Sequence, residues 1–390
     1  MNFIRTVNFF GILVTLLAIA GIASGAIDPN IDIAGAFRQY HLTGRLDISV
    51  PTVTVVPIND SLWLERSDFA VLDTTTNKFQ PNLVVQEMDS ESKFTSTSPM
   101  ATPGTDRFMK DGDYSTYAEF NLTDDNASEA VVTLRANALT ASSRLTMALD
   151  NYVALPVAIE IRALTAAGEK IVVAKTDLKS TTVNFPETSA STWLIKLFYS
   201  QPLRITELNL TQKDIIAGRS LRFLAQPKHE YAVYFNPDRF TRIPVGESSD
   251  LSNGNDLLKI SPLTPLSNPE YRVADIDNDG IADIRDNCVS ISNPDQLDIN
   301  ANGRGDSCDD FDKDSVMNIK DNCVNNPNYR QEDTDNDGLG DVCDNEESRL
   351  TERFSFLPWV GIIIAAGIML TLIVVIVQSV KNDRLDKPSA

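Results

Sequence analysis

Histidine, cysteine and tryptophan are scarce in this 390-residue chain, and the scarcity narrows what it can do. The only two histidines, His41 and His229, lie far apart in polar, strand-like contexts. No G-x-S-x-G, H-E-x-x-H or Walker-type loop occurs, so the common signatures of hydrolases, zinc proteases and nucleotide-binding enzymes are missing. Asp and Glu are plentiful, and pairs of them can serve glycosidases, but spatial pairing is invisible in a sequence. The sequence therefore favours a binding protein that is not an enzyme, with a glycan-processing enzyme as the alternative.

Basic residues are also in deficit, because 34 Lys and Arg stand against 54 Asp and Glu, a net charge of −20. Residues 275–344 alone hold 19 acidic and 5 basic residues, and so carry −14 of that charge. Phosphate binding needs a basic face. The composition therefore argues against nucleic acid as a partner.

All four cysteines lie in this acidic stretch, which consists of two copies of one sequence pattern, 35 residues apart. Cys288 matches Cys323, and Cys308 matches Cys343. Glycines and cysteines at fixed offsets favour a structural repeat over a disordered acidic tail. The C-x19-C spacing differs from the C-x2-C of zinc ribbons and redox motifs, and an even count in an exported chain implies disulfides. Pairing within each copy is the preferred connectivity among the three that four cysteines allow.

Four overlapping loops in this stretch fit the ligand pattern of a hard cation. Calcium takes six to eight oxygens, and a loop can offer them from positions 1, 3, 5, 7, 9 and 12, with glycine at position 6. Position 7 contributes a backbone carbonyl, and no amphipathic helices flank the loops, so these are not EF-hand pairs. Loop by loop, the predicted ligands are Asp275, Asp277, Asp279, Ile281, Asp283 and Asp286; Asp298, Asn300, Asn302, Arg304, Asp306 and Asp309; Asp310, Asp312, Asp314, Val316, Asn318 and Asp321; and Asp333, Asp335, Asp337, Leu339, Asp341 and Asp344.

The four loops are not equal. Five carboxylates line the first and fourth loops, four line the third and three line the second. Ligand charge helps to set calcium affinity, so the second loop is predicted to be the weakest. The third loop has Ser315 where glycine is favoured, and we expect that loop to be strained or distorted.

The pattern D-x-D-x-D-G-x-x-D-x-x-D-N-C, followed by N-x-x-Q-x-D-x-[DN]-x-[DN]-G-x-G-D-x-C-D, resembles thrombospondin type 3 repeats across residues 275–344. The resemblance implies a chain that wraps around a line of calcium ions, braced by disulfides, with almost no apolar core. The composition agrees, because the stretch has too few large apolar residues to offset the entropy of ordering it. We therefore expect calcium binding to supply its folding free energy.

Both ends of the chain carry apolar segments. Residues 1–25 have the layout of a secretory signal peptide, with Arg5 before an apolar run and small residues before the expected cleavage. An uncleaved N-terminal anchor is the alternative, and either version exports the β-rich residues that come after it. Residues 356–380 are predicted as a transmembrane helix, because 22 residues from Phe356 to Val377 carry no charge. Lys381 and Arg384 follow, so the positive-inside rule places residues 381–390 in the cytoplasm and residues 26–355 outside, the last eleven as a juxtamembrane segment.

The region between these ends has short strand patterns typical of β-sandwiches and jelly rolls. Residues 96–211 resemble the discoidin, or galactose-binding-like, jelly roll through the turn Asp111-Gly112-Asp113-Tyr114-Ser115-Thr116 and a closing strand that includes Glu207. The resemblance implies a second calcium site at Asp111, Thr116 and Glu207, and sugar or lipid head-group binding by loops at one end. Ala118 stands where the family usually has Trp, and a metal-free acidic turn is an equal alternative. Trp63 and Trp193 lie in apolar contexts and are predicted to be core residues.

The flanking residues 26–95 and 212–244 are also β-rich, and we expect them to pair as one sandwich with the jelly roll inserted; residues 245–274 are predicted to be a linker. The fold class is therefore mostly β: a sandwich and jelly-roll ectodomain, an irregular calcium-wrapped stalk and one transmembrane helix. The leading hypothesis is a single-pass surface protein that presents a glycan- or surface-binding head on a calcium-stiffened stalk, for adhesion or matrix contact. Its partners would be the membrane and a glycan or another surface protein. A purely structural envelope protein is a further alternative.

Overall fold

The computed structural model describes residues 29–59, 62, 64–87, 94–123, 128–212, 218–344, 354 and 356–385. The predicted signal peptide, Trp63, most of residues 345–355 and residues 386–390 lie outside the described residues. In chain order the elements are α1 (Pro29–Ala34), β1 (Phe37–Arg45), β2 (Thr52–Ile58), β3 (Phe69–Asp73), β4 (Lys78–Gln80), β5 (Asn82–Glu87), β6 (Phe94–Thr97), β7 (Ala118–Phe120), β8 (Ser128–Leu149), β9 (Ala158–Thr165), β10 (Gly168–Asp177), β11 (Thr182–Tyr199), β12 (Leu203–Gln212), β13 (Gly218–Ala225), β14 (Glu230–Pro237), β15 (Leu258–Lys259), β16 (Leu266–Ser267) and α2 (Leu357–Leu385).

Strands from both sides of the jelly roll form one β-sandwich. One sheet has the order β16-β1-β14-β3-β4 and the other β15-β2-β13-β5. Strand β14 pairs with β1 and β3, while β13 pairs with β2 and β5. Val56, Phe223 and Phe235 are fully buried between the sheets. The jelly roll is therefore inserted in the chain between β5 and β13.

Residues 245–274, which the sequence predicts as a linker, belong to this sandwich instead. Strand β15 pairs with β2 and β16 pairs with β1. Leu251 and Leu263 are buried, and the Asn268 side chain donates to the carbonyls of Ala34 and Phe37 at 2.8 and 2.7 Å. Two buried leucines and two short strands are too few to give a periodic pattern of apolar residues. The polar composition of the segment therefore led to the prediction of a linker.

The jelly roll contains strands β6 to β12, with the order β10-β9-β11-β8-β12-β7 and β6 beside β8. The long strands β8 and β11 pair along most of their length, with breaks in register between Asn184 and Thr188 and between Ala190 and Thr192. Trp193 is fully buried in this core, with its ring centroid 5.7 Å from that of Phe185, as the sequence predicts. The β-sandwich fold class predicted from the sequence is confirmed.

Residues 275–344 contain neither strand nor α-helix, only turns and two short 3-10 segments at equivalent places, Asp283–Arg285 and Asn318–Lys320. Disulfides join Cys288 to Cys308 and Cys323 to Cys343, which confirms pairing within each copy. Further on, α2 is the one helix in the described part of the chain that is long and apolar enough to cross a membrane, over Leu357–Ser379.

Candidate metal centre

Three of the four predicted loops bring the carboxylates of positions 1, 3 and 5 together. In each of these loops, one oxygen from each side chain lies within 4.8 Å of the other two. Three negative charges at such distances repel one another unless a cation lies between them. The three clusters are Asp275, Asp277 and Asp279; Asp310, Asp312 and Asp314; and Asp333, Asp335 and Asp337.

Backbone hydrogen bonds shape every loop in the same way. In the first loop, Gly280 N–H donates to Asp275 Oδ2 at 3.0 Å, and Ile276 N–H donates to Asp283 Oδ1 at 2.8 Å. Equivalent contacts occur in the other three loops. The residue at position 9 thus closes its loop through the backbone, and its role as a direct ligand stays a prediction.

Four carboxylate oxygens in the first and third loops are buried and have no hydrogen-bond partner among the described residues. They are Asp275 Oδ1, Asp277 Oδ2, Asp312 Oδ2 and Asp321 Oδ2. A buried acceptor left without a partner costs about 1–3 kcal/mol. Burial raises the pKa of Asp277, Asp283 and Asp312, and repulsion from neighbouring carboxylates raises it further. An oxygen-only donor set of this kind fits a hard divalent cation such as calcium.

The second loop is arranged differently. Asn302 Nδ2 donates to Asp309 Oδ2 at 2.7 Å, and Arg304 Nη1 lies 3.5 Å from Asp309 Oδ1. Asp306 accepts from Ile299 N–H, as Asp283 accepts from Ile276 N–H in the first loop, so the difference lies at Asp309. The carboxylate of Asp309 is engaged by the protein itself. The prediction that this loop is the weakest calcium site stays a prediction, and the geometry favours it.

The third loop keeps the common shape despite its serine. Ser315 has a φ of 77°, where the first loop has Gly280, and its N–H donates to Asp310 Oδ2 at 3.0 Å. Lys313, two residues earlier, is also left-handed, with a φ of 64°. The third loop is therefore not distorted. Of the two outcomes expected for it, strain and distortion, the positive φ of Ser315 indicates backbone strain.

Replacing Ser315 with glycine is expected to tighten calcium binding by the third loop about fivefold, because a left-handed conformation costs a non-glycine residue about 1 kcal/mol or more. Calcium titration calorimetry checks this. Ser290→Gly is the control, since Ser290 is an exposed serine of the first repeat and has no positive φ. Equal affinities for Ser315→Gly and the parent chain would show that the serine conformation costs nothing.

Amide side chains that the ligand pattern does not include brace each repeat. Gln296 Nε2 donates to Asp286 Oδ1 at 2.8 Å, and Gln296 Oε1 accepts from Asn287 N–H at 3.0 Å. The second copy repeats both contacts, with Gln331 against Asp321 and Asn322. These amides orient the position-12 carboxylates from outside the ligand set. Their 35-residue repetition is the sequence signal that could have identified them.

The second predicted calcium site lies between one turn of the jelly roll, at residues 111–116, and strand β12, which carries Glu207. Thr116 Oγ1 donates to Asp111 Oδ2 at 2.8 Å, and Gly112 N–H donates to the buried carboxylate of Glu207 at 2.5 Å. Lys110 approaches from the same side and donates to Asn209. Burial raises the pKa of Glu207 to about 7, although Lys110 opposes the rise. The three predicted residues are thus brought together, and calcium binding by them stays a prediction.

Replacing Glu207 with glutamine is expected to stabilise the calcium-free jelly roll at pH 8 by up to about 3 kcal/mol and to have little effect at pH 4. The reason is that an acid whose folded pKa is raised from 4.5 to about 7 loses stability as the pH rises through that interval. Urea unfolding followed by tryptophan fluorescence in EGTA measures the difference. A glutamine variant less stable than the parent at pH 8 would contradict it. If calcium binds at this turn, added calcium stabilises the parent and not the variant.

The first repeat lies directly on the jelly roll. Leu155 N–H donates to the carbonyl of Ile284 at 3.1 Å, and Ser200 Oγ donates to that of Gly303 at 2.6 Å. Gln201 bonds twice, as donor to the Asp286 carbonyl at 2.8 Å and as acceptor from Val289 N–H at 3.3 Å. The first loop is therefore fixed to the jelly roll by these hydrogen bonds.

Solved structures similar to part of this chain include family 32 carbohydrate-binding modules. That of C. perfringens NanJ, in complex with galactose, is 19% identical over 32% of this chain and 98% of its own, with a TM-score of 0.27. That of Streptococcus pneumoniae EndoD is 14% identical over 33% and 96%, with a TM-score of 0.25. These are modules of the class that the sequence resemblance names for residues 96–211. Because the TM-scores are low, the fold of this region rests on its own strand pairing.

The chain has no match among curated proteins. The family model of the thrombospondin type 3 repeat matches residues 274–296 and 297–331. This match covers the first three predicted loops and both 3-10 segments. Residues 274–331 are therefore made of thrombospondin type 3 repeats.

Proposed function

We propose that this chain is a calcium-binding, single-pass cell-surface protein that presents a glycan- or surface-binding β head for adhesion or extracellular contact. The observation that carries the proposal is the set of buried, unpartnered carboxylate oxygens in the first and third loops. Calcium at the concentrations found outside cells would satisfy these oxygens and neutralise a segment of charge −14.

The order of the segments supports the surface location. The β head comes first, the repeats follow, and the apolar helix α2 comes after them. Lys381 and Arg384 at the far end of this helix favour a cytoplasmic tail, which leaves the head and the repeats outside the membrane. Disulfides in both repeats fit an oxidising compartment.

The contact between head and first repeat gives calcium a second role in this proposal. Since Ile284 and Asp286 belong to the first loop and accept hydrogen bonds from the jelly roll, an ordered loop holds the head in a fixed orientation. The second repeat has no jelly roll beside it in the described part of the chain and would act as the spacer towards the membrane.

Arrays of glycans and matrix proteins, probed with the full chain in detergent micelles, test the proposal. We expect retention by one ligand class in calcium and at least tenfold weaker retention in EGTA. The variant that combines Asp277→Asn and Asp312→Asn is expected to lose retention at calcium levels that suffice for the parent. Absence of retention in calcium would refute the binding function, and turnover of an arrayed glycan would favour the enzyme alternative.

A further inference from the structure

A cleft of about 430 Å³ lies where the first repeat meets the jelly roll. Residues 154–157, Lys179 and the Ser200–Gln201 pair line it from the jelly-roll side, and residues 284–287 with Gly303 line it from the repeat. The volume falls within the range of about 300–1,000 Å³ that is usual for small-molecule sites. Neither unit forms the cleft alone.

The neutral polar groups of the cleft are already used. Ser200 and Gln201 hold the two units together, and the Asn287 amide donates to the Gln296 carbonyl at 3.0 Å. The other neutral residues of the lining are mostly apolar, and they include Leu155, Pro156 and Val157. Val157 is 43% exposed and is therefore accessible to a ligand. A ligand would therefore place hydrocarbon against this wall rather than depend on neutral hydrogen-bonding groups.

Two cations supply the remaining chemistry. Lys179 and Arg285 both line the cleft and are exposed. Neither side chain makes a hydrogen bond or an ion pair within the part of the chain that the structure describes, although the chain has 54 acidic residues. The one carboxylate in the lining, that of Asp286, is 2% exposed, and its Oδ1 accepts from Cys288 N–H and from Gln296.

We propose that this cleft binds a small organic anion, whose carboxylate or sulfate group is held by Lys179 and Arg285 and whose hydrocarbon part lies on Leu155, Pro156 and Val157. Charge-assisted bonds from two cations give strength, and the apolar wall selects an organic anion over an inorganic one. Because Ile284, Arg285 and Asp286 of the first loop line the cleft, binding requires that loop to be ordered. The site goes beyond the proposed adhesive function, which does not depend on it.

Titration calorimetry of the full chain in detergent micelles tests the site, with glucuronate as the carboxylate probe and glucose as its neutral counterpart, because both rings offer C–H faces to the apolar wall. We expect glucuronate to bind in calcium, glucose not to bind, and EGTA to abolish glucuronate binding. Lys179→Ala and Arg285→Ala are each expected to weaken glucuronate about tenfold or more. Arg285→Lys is expected to restore much of the affinity, because it returns the charge.

The second repeat supplies the matched control. Lys320 is the 35-residue counterpart of Arg285, exposed on the equivalent 3-10 segment, so Lys320→Ala should leave glucuronate binding unchanged. Inorganic sulfate should compete only weakly with glucuronate. An oligosaccharide that ends in glucuronate shows whether the cleft accepts the end of a polymer as well as the free acid. Absence of glucuronate binding, equal binding of glucose, or an equal loss in Lys320→Ala would each overturn the proposal. So would alanine variants that alter only calcium affinity, because the two cations would then serve the loops alone.

Discussion

Removal of calcium is expected to unfold residues 275–344 while the β-sandwich and the jelly roll stay folded. The repeats have no strand or α-helix to hold them, and their clustered carboxylates repel one another without a cation. A ligand at 100 times its Kd adds about 2.7 kcal/mol of stability, so three occupied clusters contribute about 8 kcal/mol. That figure is comparable to the whole stability of a small domain. Two disulfides limit how far the chain expands but cannot replace this contribution.

Hydrogen exchange followed by mass spectrometry measures this directly. In EGTA, amides of residues 275–344 should exchange at rates close to those of an unfolded chain, while peptides from β8 and β11 stay protected. Magnesium at the same concentration should restore little protection, since it demands near-ideal octahedral geometry and gives up its water reluctantly. Repeats equally protected in calcium and in EGTA would show that metal does not stabilise them.

The carboxylate clusters could be predicted from sequence because their geometry is local. Asp275, Asp277 and Asp279 lie within five residues, so the spacing alone sets which side chains meet. The same holds for each disulfide, which closes a loop of fixed length within one copy. Strand-rich composition likewise indicated a β-sandwich class, because alternation and turn residues are also local signals.

Contacts between distant segments could not be read in this way. Gln201 and Asp286 meet through a backbone carbonyl, and a carbonyl carries no residue identity to recognise in a sequence. The prediction of a linker at residues 245–274 was wrong for a related reason. The side chain of Arg222 on β13 donates to the carbonyls of Leu251 and Ser252, and a bond between a side chain and a distant backbone leaves no pattern in the sequence. The cleft beside Lys179 and Arg285 depends on the same docking, and its existence follows only from the assembled structure.

Replacing either Gly305 or Gly340 with alanine is expected to destabilise its repeat by about 4 kcal/mol. A Cβ on Gly305 would lie 2.4 Å from Asn287 Oδ1, 2.6 Å from Cys288 Sγ and 2.7 Å from Asn293 Nδ2. Gly340 meets the equivalent three atoms of the second copy at 2.4 to 2.7 Å. None of these atoms is the free end of a flexible chain, because the sulfur is in a disulfide and the amides are hydrogen-bonded to each other. Overpacking costs about 1–3 kcal/mol, and breaking the partly buried amide pair adds about 1–3 kcal/mol.

The calcium concentration at which each repeat becomes resistant to protease measures the loss, and both variants should need much more calcium than the parent. Gly246→Ala is the matched control, since a Cβ there meets nothing within 4 Å and the residue has no positive φ. Gly280→Ala separates the causes: its Cβ would also lie in open space, but its φ is +94°, so any cost is backbone strain alone. A Gly305→Ala repeat no weaker than Gly280→Ala would mean that the bracing amides and the disulfide move aside easily. The contrast matters because Gly305 has no positive φ, so close packing, rather than turn geometry, requires glycine there.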